Sequence, residues 1–124
     1  MPYFFLPLLA QAPHPLILSH RCGGGCQRLA PALTQATGFV ELRLSGNDFG
    51  RQAAHWLVPV LRTLSHLRIV DLSSCKLEVQ DCMAVARALK DRDGVFVELC
   101  WNDITLGSAE GDELRNMSGI RVRL

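Results

Sequence analysis

Residues Phe39–Phe49 read FVELRLSGNDF, and Leu67–Leu77 read LRIVDLSSCKL. Laid over one another with a step of 28 residues (67 − 39), both fill the pattern L-x-x-L-x-L-x-x-N/C-x-L. The first supplies Phe39, Leu42, Leu44, Asn47 and Phe49, and the second Leu67, Val70, Leu72, Cys75 and Leu77. A third copy opens at Gly94, 27 residues further on (94 − 67), with Val97, Leu99, Asn102 and Ile104 in the remaining slots. Val122 and Leu124 begin one more strand. Leu16 and Leu18, in the stretch PLILS, head a degenerate first copy, where Arg21 and Gly23 replace the Asn/Cys and final Leu positions.

The second half of each unit repeats as well. Leu29 and Leu33 recur as Leu57 and Leu61, and then as Val85 and Leu89. Apolar residues at i and i+4 mark one face of an amphipathic helix. In the preceding strand, alternation turns Leu42 and Leu44 to one side and Glu41, Arg43 and Ser45 to the other. Asn47 stands where the chain leaves the strand, and its amide can satisfy buried backbone groups of the turn. Cys75 can fill the same place as a compact, weakly hydrogen-bonding group. A single strand–helix unit cannot bury its own apolar side, so neighbours must stack. Pro59 removes one hydrogen bond from the second helix and predicts a kink there. Gly111 lowers the helix propensity of SAEGDELRN, by about 1 kcal/mol against alanine.

These motifs resemble the ribonuclease-inhibitor subtype of leucine-rich repeat proteins, over about residues 13 to 124. The resemblance implies an α/β solenoid, a short horseshoe arc with parallel strands on the concave face and helices on the convex face. The implied units run 13–38 (degenerate), 39–66, 67–93 and 94–118, with a final strand at 119–124. Such repeats are similar to the C-terminal ligand-sensing arrays of cytosolic NOD-like receptors. No G-x-x-x-x-G-K-[ST] motif is present, so the nucleotide-driven assembly of those receptors does not carry over.

On this reading the outward strand positions line up across the units. Arg43, Asp71, Glu98 and Arg123 form one row; Glu41, Ile69, Phe96 and Arg121 a second; Ser45, Ser73 and Cys100 a third. Trp101 takes the position held by Gly46 and Ser74 in the units before it. These residues are the candidate protein-binding strip, with Phe96 and Trp101 as anchors. The charges also offer a plainer reading, in which Arg43 pairs with Asp71 and Arg123 with Glu98 at little energetic value.

Composition narrows the function further. Thirteen basic and twelve acidic residues give a net charge of +1, spread without a basic stripe, so no nucleic-acid partner is expected. Aromatic residues make up only 6% of the chain, too few for a single-strand stacking platform. No Ser, Cys or carboxylate stands at a catalytic spacing from His55 or His66, so no enzymatic activity and no cofactor are expected. His14, His20, Cys22 and Cys26 do not follow a known zinc spacing, and Gly23–Gly25 lacks the residues of a phosphate cradle. The five cysteines follow no disulfide framework, which fits free thiols in a reducing, cytoplasmic setting.

Met1–Ala12, MPYFFLPLLAQA, is broken by Pro2 and Pro7 and carries no Lys or Arg. It reads as an irregular apolar segment, too short to span a bilayer. Cleavage near Ala12 would make the chain a small secreted binder instead, and only then would the sequon Asn116-Met117-Ser118 matter. Without polar capping units at either end, the chain reads as a fragment or alternative product of a longer array. The expected function is a non-catalytic protein-interaction module of unidentified partner. The alternative is a marginally stable structural fragment with none.

Overall fold

The computed structural model describes residues 15–18, 28, 30–35, 38–49 and 52–124. The apolar N-terminal segment, the His14/His20/Cys22/Cys26 group, the Gly23–Gly25 run, Arg21 and Leu29 lie outside those residues. Strands and helices alternate: β1 (Pro15–Ile17), α1 (Ala30–Gln35), β2 (Glu41–Arg43), α2 (Ala54–Thr63), β3 (Ile69–Asp71), α3 (Val79–Leu89), β4 (Val95–Glu98), α4 (Ala109–Arg115) and β5 (Ile120–Arg123). The five strands form one parallel sheet in the order of the sequence.

That order fixes which side the helices occupy. A parallel crossover is right-handed, and here every crossover steps the same way across the sheet. All helices therefore fall on one side and leave the other open. Consecutive helices pack on one another, and their buried residues join those of the strands in a single apolar cluster. Leu42, Val70 and Val97, followed by Leu44, Leu72 and Leu99, point into it at no more than 1% exposure. From the helices come Leu33 of α1, Leu57 and Leu61 of α2, Val85 and Leu89 of α3, and Leu114 of α4. Strand pairing follows the repeat steps: Leu16 lies beside Leu42, Leu42 beside Val70, and Val70 beside Val97.

The turns after β2, β3 and β4 are each held by a side chain that reaches towards the preceding unit. Asn47 Nδ2 donates to the carbonyls of Leu44 at 2.7 Å and Leu18 at 3.1 Å. Asn102 Nδ2 donates to Leu72 O at 2.8 Å and Leu99 O at 3.1 Å, while its Oδ1 accepts from the backbone of Cys75 and Leu77, each at 3.0 Å. Between them Cys75 donates its thiol to Leu44 O at 3.1 Å. A buried backbone group without a partner is costly, and these three residues remove that cost from successive turns.

The helix ends are completed in the same direction. Asp81, near the start of α3, accepts from Ala54 N at the start of α2, 3.2 Å away, and from Glu78 N at 3.4 Å. Arg92 donates to the carbonyls of Leu61 and Leu64, both at 2.7 Å, at the C-terminal end of α2, where a cation also meets the negative end of the helix dipole. Burial lowers the pKa of this guanidinium below its ordinary value.

Pro59 lies inside α2 on its exposed side. Gly111 differs from its sequence reading. It sits in the first turn of α4, where its N–H is capped by Ser108 Oγ at 3.1 Å and where a Cβ would stand 3.1 Å from Thr105 O. A close approach of backbone, and not a weakness in mid-helix, is what places glycine there. Gly119, ahead of β5, is more tightly constrained: its φ is +84°, and a Cβ would fall 2.0 Å from Lys90 O.

Candidate functional site

The open side of the sheet carries the outward strand residues, and the pairing places them in the expected rows. Glu41 lies beside Ile69, Ile69 beside Phe96, and Phe96 beside Arg121. Arg43, Asp71, Glu98 and Arg123 succeed one another in the same way. The third row continues past the strand ends, where Gly46 N donates to Ser73 O at 3.0 Å and Ser74 N to Cys100 O at 2.9 Å. Ile17 joins the Arg43 row from β1 and is 55% exposed. The sequence contained that placement, since Leu16 aligns with Leu42, but a degenerate copy conceals it.

The charged row is knit together around Arg43. Its guanidinium pairs with Glu41 on its own strand, with Asp71 on β3 at 3.4 Å and with Glu98 on β4 at 3.8 Å. The hydrogen bond to Glu41 raises the pKa of Arg43; burial opposes that rise, and Asp71 and Glu98 add to it. Asp71 is buried although it belongs to the outward row, and its Oδ1 accepts from Ser73 N at 3.1 Å. Arg123 reaches Glu98 at 3.9 Å from a side chain that is 68% exposed. Both pairs foreseen from spacing are thus present, within a network that also takes in Glu41 and joins Arg43 to Glu98 two strands away.

The apolar part of the face is Ile69 and Phe96, both partly exposed, in the middle of their row. At the rim where the strands end stands Trp101, 87% exposed. Its backbone is left-handed, with φ +62°. The same repeat position is left-handed in the two units before it, at Gly46 (φ +74°) and Ser74 (φ +56°). Glycine adopts this conformation freely, whereas a side chain with a Cβ does so at a cost of about 1 kcal/mol or more. The other tryptophan differs in kind: Trp56 packs edge-to-face on Phe49, with centroids 5.2 Å apart. The sequence showed Trp101 as exposed, and Gly46 at the same repeat position was its sign of a left-handed backbone there.

Elsewhere the molecule offers less. An open groove of about 520 Å³ runs between α3 and α4, crossed by the Arg87–Glu113 ion pair at 2.9 Å. His55 and His66 stand at exposed positions. Cys75, Cys82 and Cys100 are free thiols, and burial, followed by the charges of Asp81 and Asp103, pushes the Cys82 pKa up to about 12. Among the described residues no group of three or more His, Cys, Asp or Glu is placed to hold a metal ion, and no helix is long and apolar enough to cross a membrane. Comparison with known families, curated proteins and solved structures finds no match to this chain.

Proposed function

We infer that the chain is a leucine-rich repeat array of the ribonuclease-inhibitor subtype, and that the open face of its sheet binds a protein partner. In this reading it acts without catalysis, in a reducing cytoplasmic compartment, as a sensing or regulatory module similar to the repeats of NOD-like receptors. Ile69, Phe96 and Trp101 are the anchors, and the charges of Glu41, Arg43, Asp71, Glu98, Arg121 and Arg123 select among partners.

Trp101 carries the proposal. A large aromatic ring lies almost fully in solvent, on a backbone conformation that favours glycine, at a position held by Ser74 in the unit before it and by Gly46 in the unit before that. The folded chain gains little from the ring and loses some stability to the backbone. Strain of this kind, held where it buries nothing, fits a contact made with another molecule.

The test separates folding from binding. Affinity capture is run in parallel with the full chain and with Trp101→Gly, and urea unfolding is followed for both. A partner retained by the first and lost by the second, together with unfolding at equal or higher urea for Trp101→Gly, is the expected result. An identical set of captured proteins overturns the proposal.

A further inference from the structure

We propose that the partner presents a charge-sorted polypeptide segment that crosses the open face at right angles to the strands: a basic residue over β2, apolar residues over β3 and β4, and acidic residues over β5. This rests on the reading of the open face as a protein-binding surface, and it gives that partner a chemistry.

The charges of the face are balanced in number but separated in space. Three carboxylates, Glu41, Asp71 and Glu98, gather around the single guanidinium of Arg43, which leaves an excess of two negative charges over β2 to β4. At the other edge β5 carries Arg121 and Arg123, both exposed. Among the described residues Arg121 makes no ion pair, and Arg123 has only the 3.9 Å contact to Glu98. Glu41 shares the one guanidinium of Arg43 with Asp71 and Glu98 and keeps part of that excess, so the row Glu41, Ile69, Phe96, Arg121 runs negative, apolar, apolar, positive across four adjacent strands.

A partner of uniform charge would be attracted at one end of this row and repelled at the other. Like charges brought together at an interface are a strong source of rejection. A segment with the opposite order meets attraction at both ends and buries its middle on Ile69 and Phe96, with Trp101 at the rim. Strands lie about 4.8 Å apart, so β2 to β5 spans roughly 14 Å, a distance that about five residues of extended chain cover, with alternate side chains turned to the sheet.

The test is a selection of short random peptides displayed on phage against the full chain, against Trp101→Gly, and against Arg121→Glu/Arg123→Glu. The expected peptides place a basic residue and acidic residues on opposite sides of an apolar pair. They bind about tenfold more weakly to the Arg121→Glu/Arg123→Glu protein, and further salt weakens them on the original. Selection on the charge-reversed protein replaces the acidic end by a basic one. Peptides that need Trp101 but show no charge order, and that bind the charge-reversed protein equally well, overturn this inference and leave the binding face standing. Peptides indifferent to Trp101, or none at all, overturn both.

Discussion

The two sides of the sheet obey different constraints although they are built from the same short strands. On the helix side, Leu42, Val70 and Val97 occupy one position in three successive units, and Leu44, Leu72 and Leu99 another, all of them buried. Each strand there does what its neighbour does, because stacking requires a similar apolar volume at each step. On the open side the same strands carry Glu41, Ile69, Phe96 and Arg121 in a row where no two neighbours agree in both size and charge. Packing dictates the first set and leaves the second free. The variation is therefore where a binding specificity can be written without disturbing the fold.

The sharpest contrast between the two sides is chemical. Cys82 is fully buried on the helix side with its pKa pushed up to about 12 from 9.0, while Cys100 lies partly exposed at the open face. A thiol whose folded pKa lies above its unfolded value adds stability that is complete below pH 9. That stability is lost as the pH rises from about 9 towards 12, because the unfolded chain deprotonates first. Three pKa units correspond to about 4 kcal/mol at the top of that window. Denaturation midpoints in urea should fall between pH 9 and 11, and the fall should be largely absent in Cys82→Ala. At pH 8 iodoacetamide should label Cys100 in the native protein and spare Cys82; equal labelling would deny that the two sides differ.

Shortening one core side chain comes next. Leu72→Ala should destabilise by about 3 kcal/mol, through lost burial and the cavity left behind, whereas Ile69→Ala on the other face of the same unit should cost about 1 kcal/mol. Equal shifts in urea midpoint for the two would collapse the distinction. At the boundary between the sides, Asn102→Ala strands the backbone donors of Cys75 and Leu77 and the carbonyls of Leu72 and Leu99. A loss of about 2 kcal/mol is expected, with faster hydrogen exchange in the turn after β3. The smallest effect has the opposite sign: Trp101→Gly relieves the left-handed backbone and should stabilise by up to about 1 kcal/mol.

The parts of this architecture that repeat were legible in the sequence. Apolar spacing in FVELRLSGNDF and LRIVDLSSCKL settles which residues face inward, and the steps of 28 and 27 residues settle the register, so the outward rows follow from the sequence alone. What was not legible depends on side-chain reach and on backbone conformation. Arg43 is long enough to contact Glu98 across an intervening strand, which a residue-by-residue row does not convey. Asp71 looks exposed by alternation, yet it is buried beneath that same guanidinium. Arg92 and Asp81 fall outside the repeated slots, so nothing in the pattern marks them as ligands of the helix before. Gly111 reads as a helix breaker until the nearness of Thr105 O is known.

The side-chain bonds that complete the helix ends and turns of another unit point one way along the chain. Asp81 reaches 27 residues back to Ala54, Arg92 reaches 28 back to Leu64, and Asn102 reaches 30 back to Leu72. A chain leaving the ribosome starts from its N-terminus, so each unit emerges with its helix ends and turn carbonyls still unanswered. It waits for the following unit to supply them. Maturation along this protein therefore trails synthesis by one full repeat, and a pause in translation would hold the newest unit in its unfinished form while the one before it is already closed.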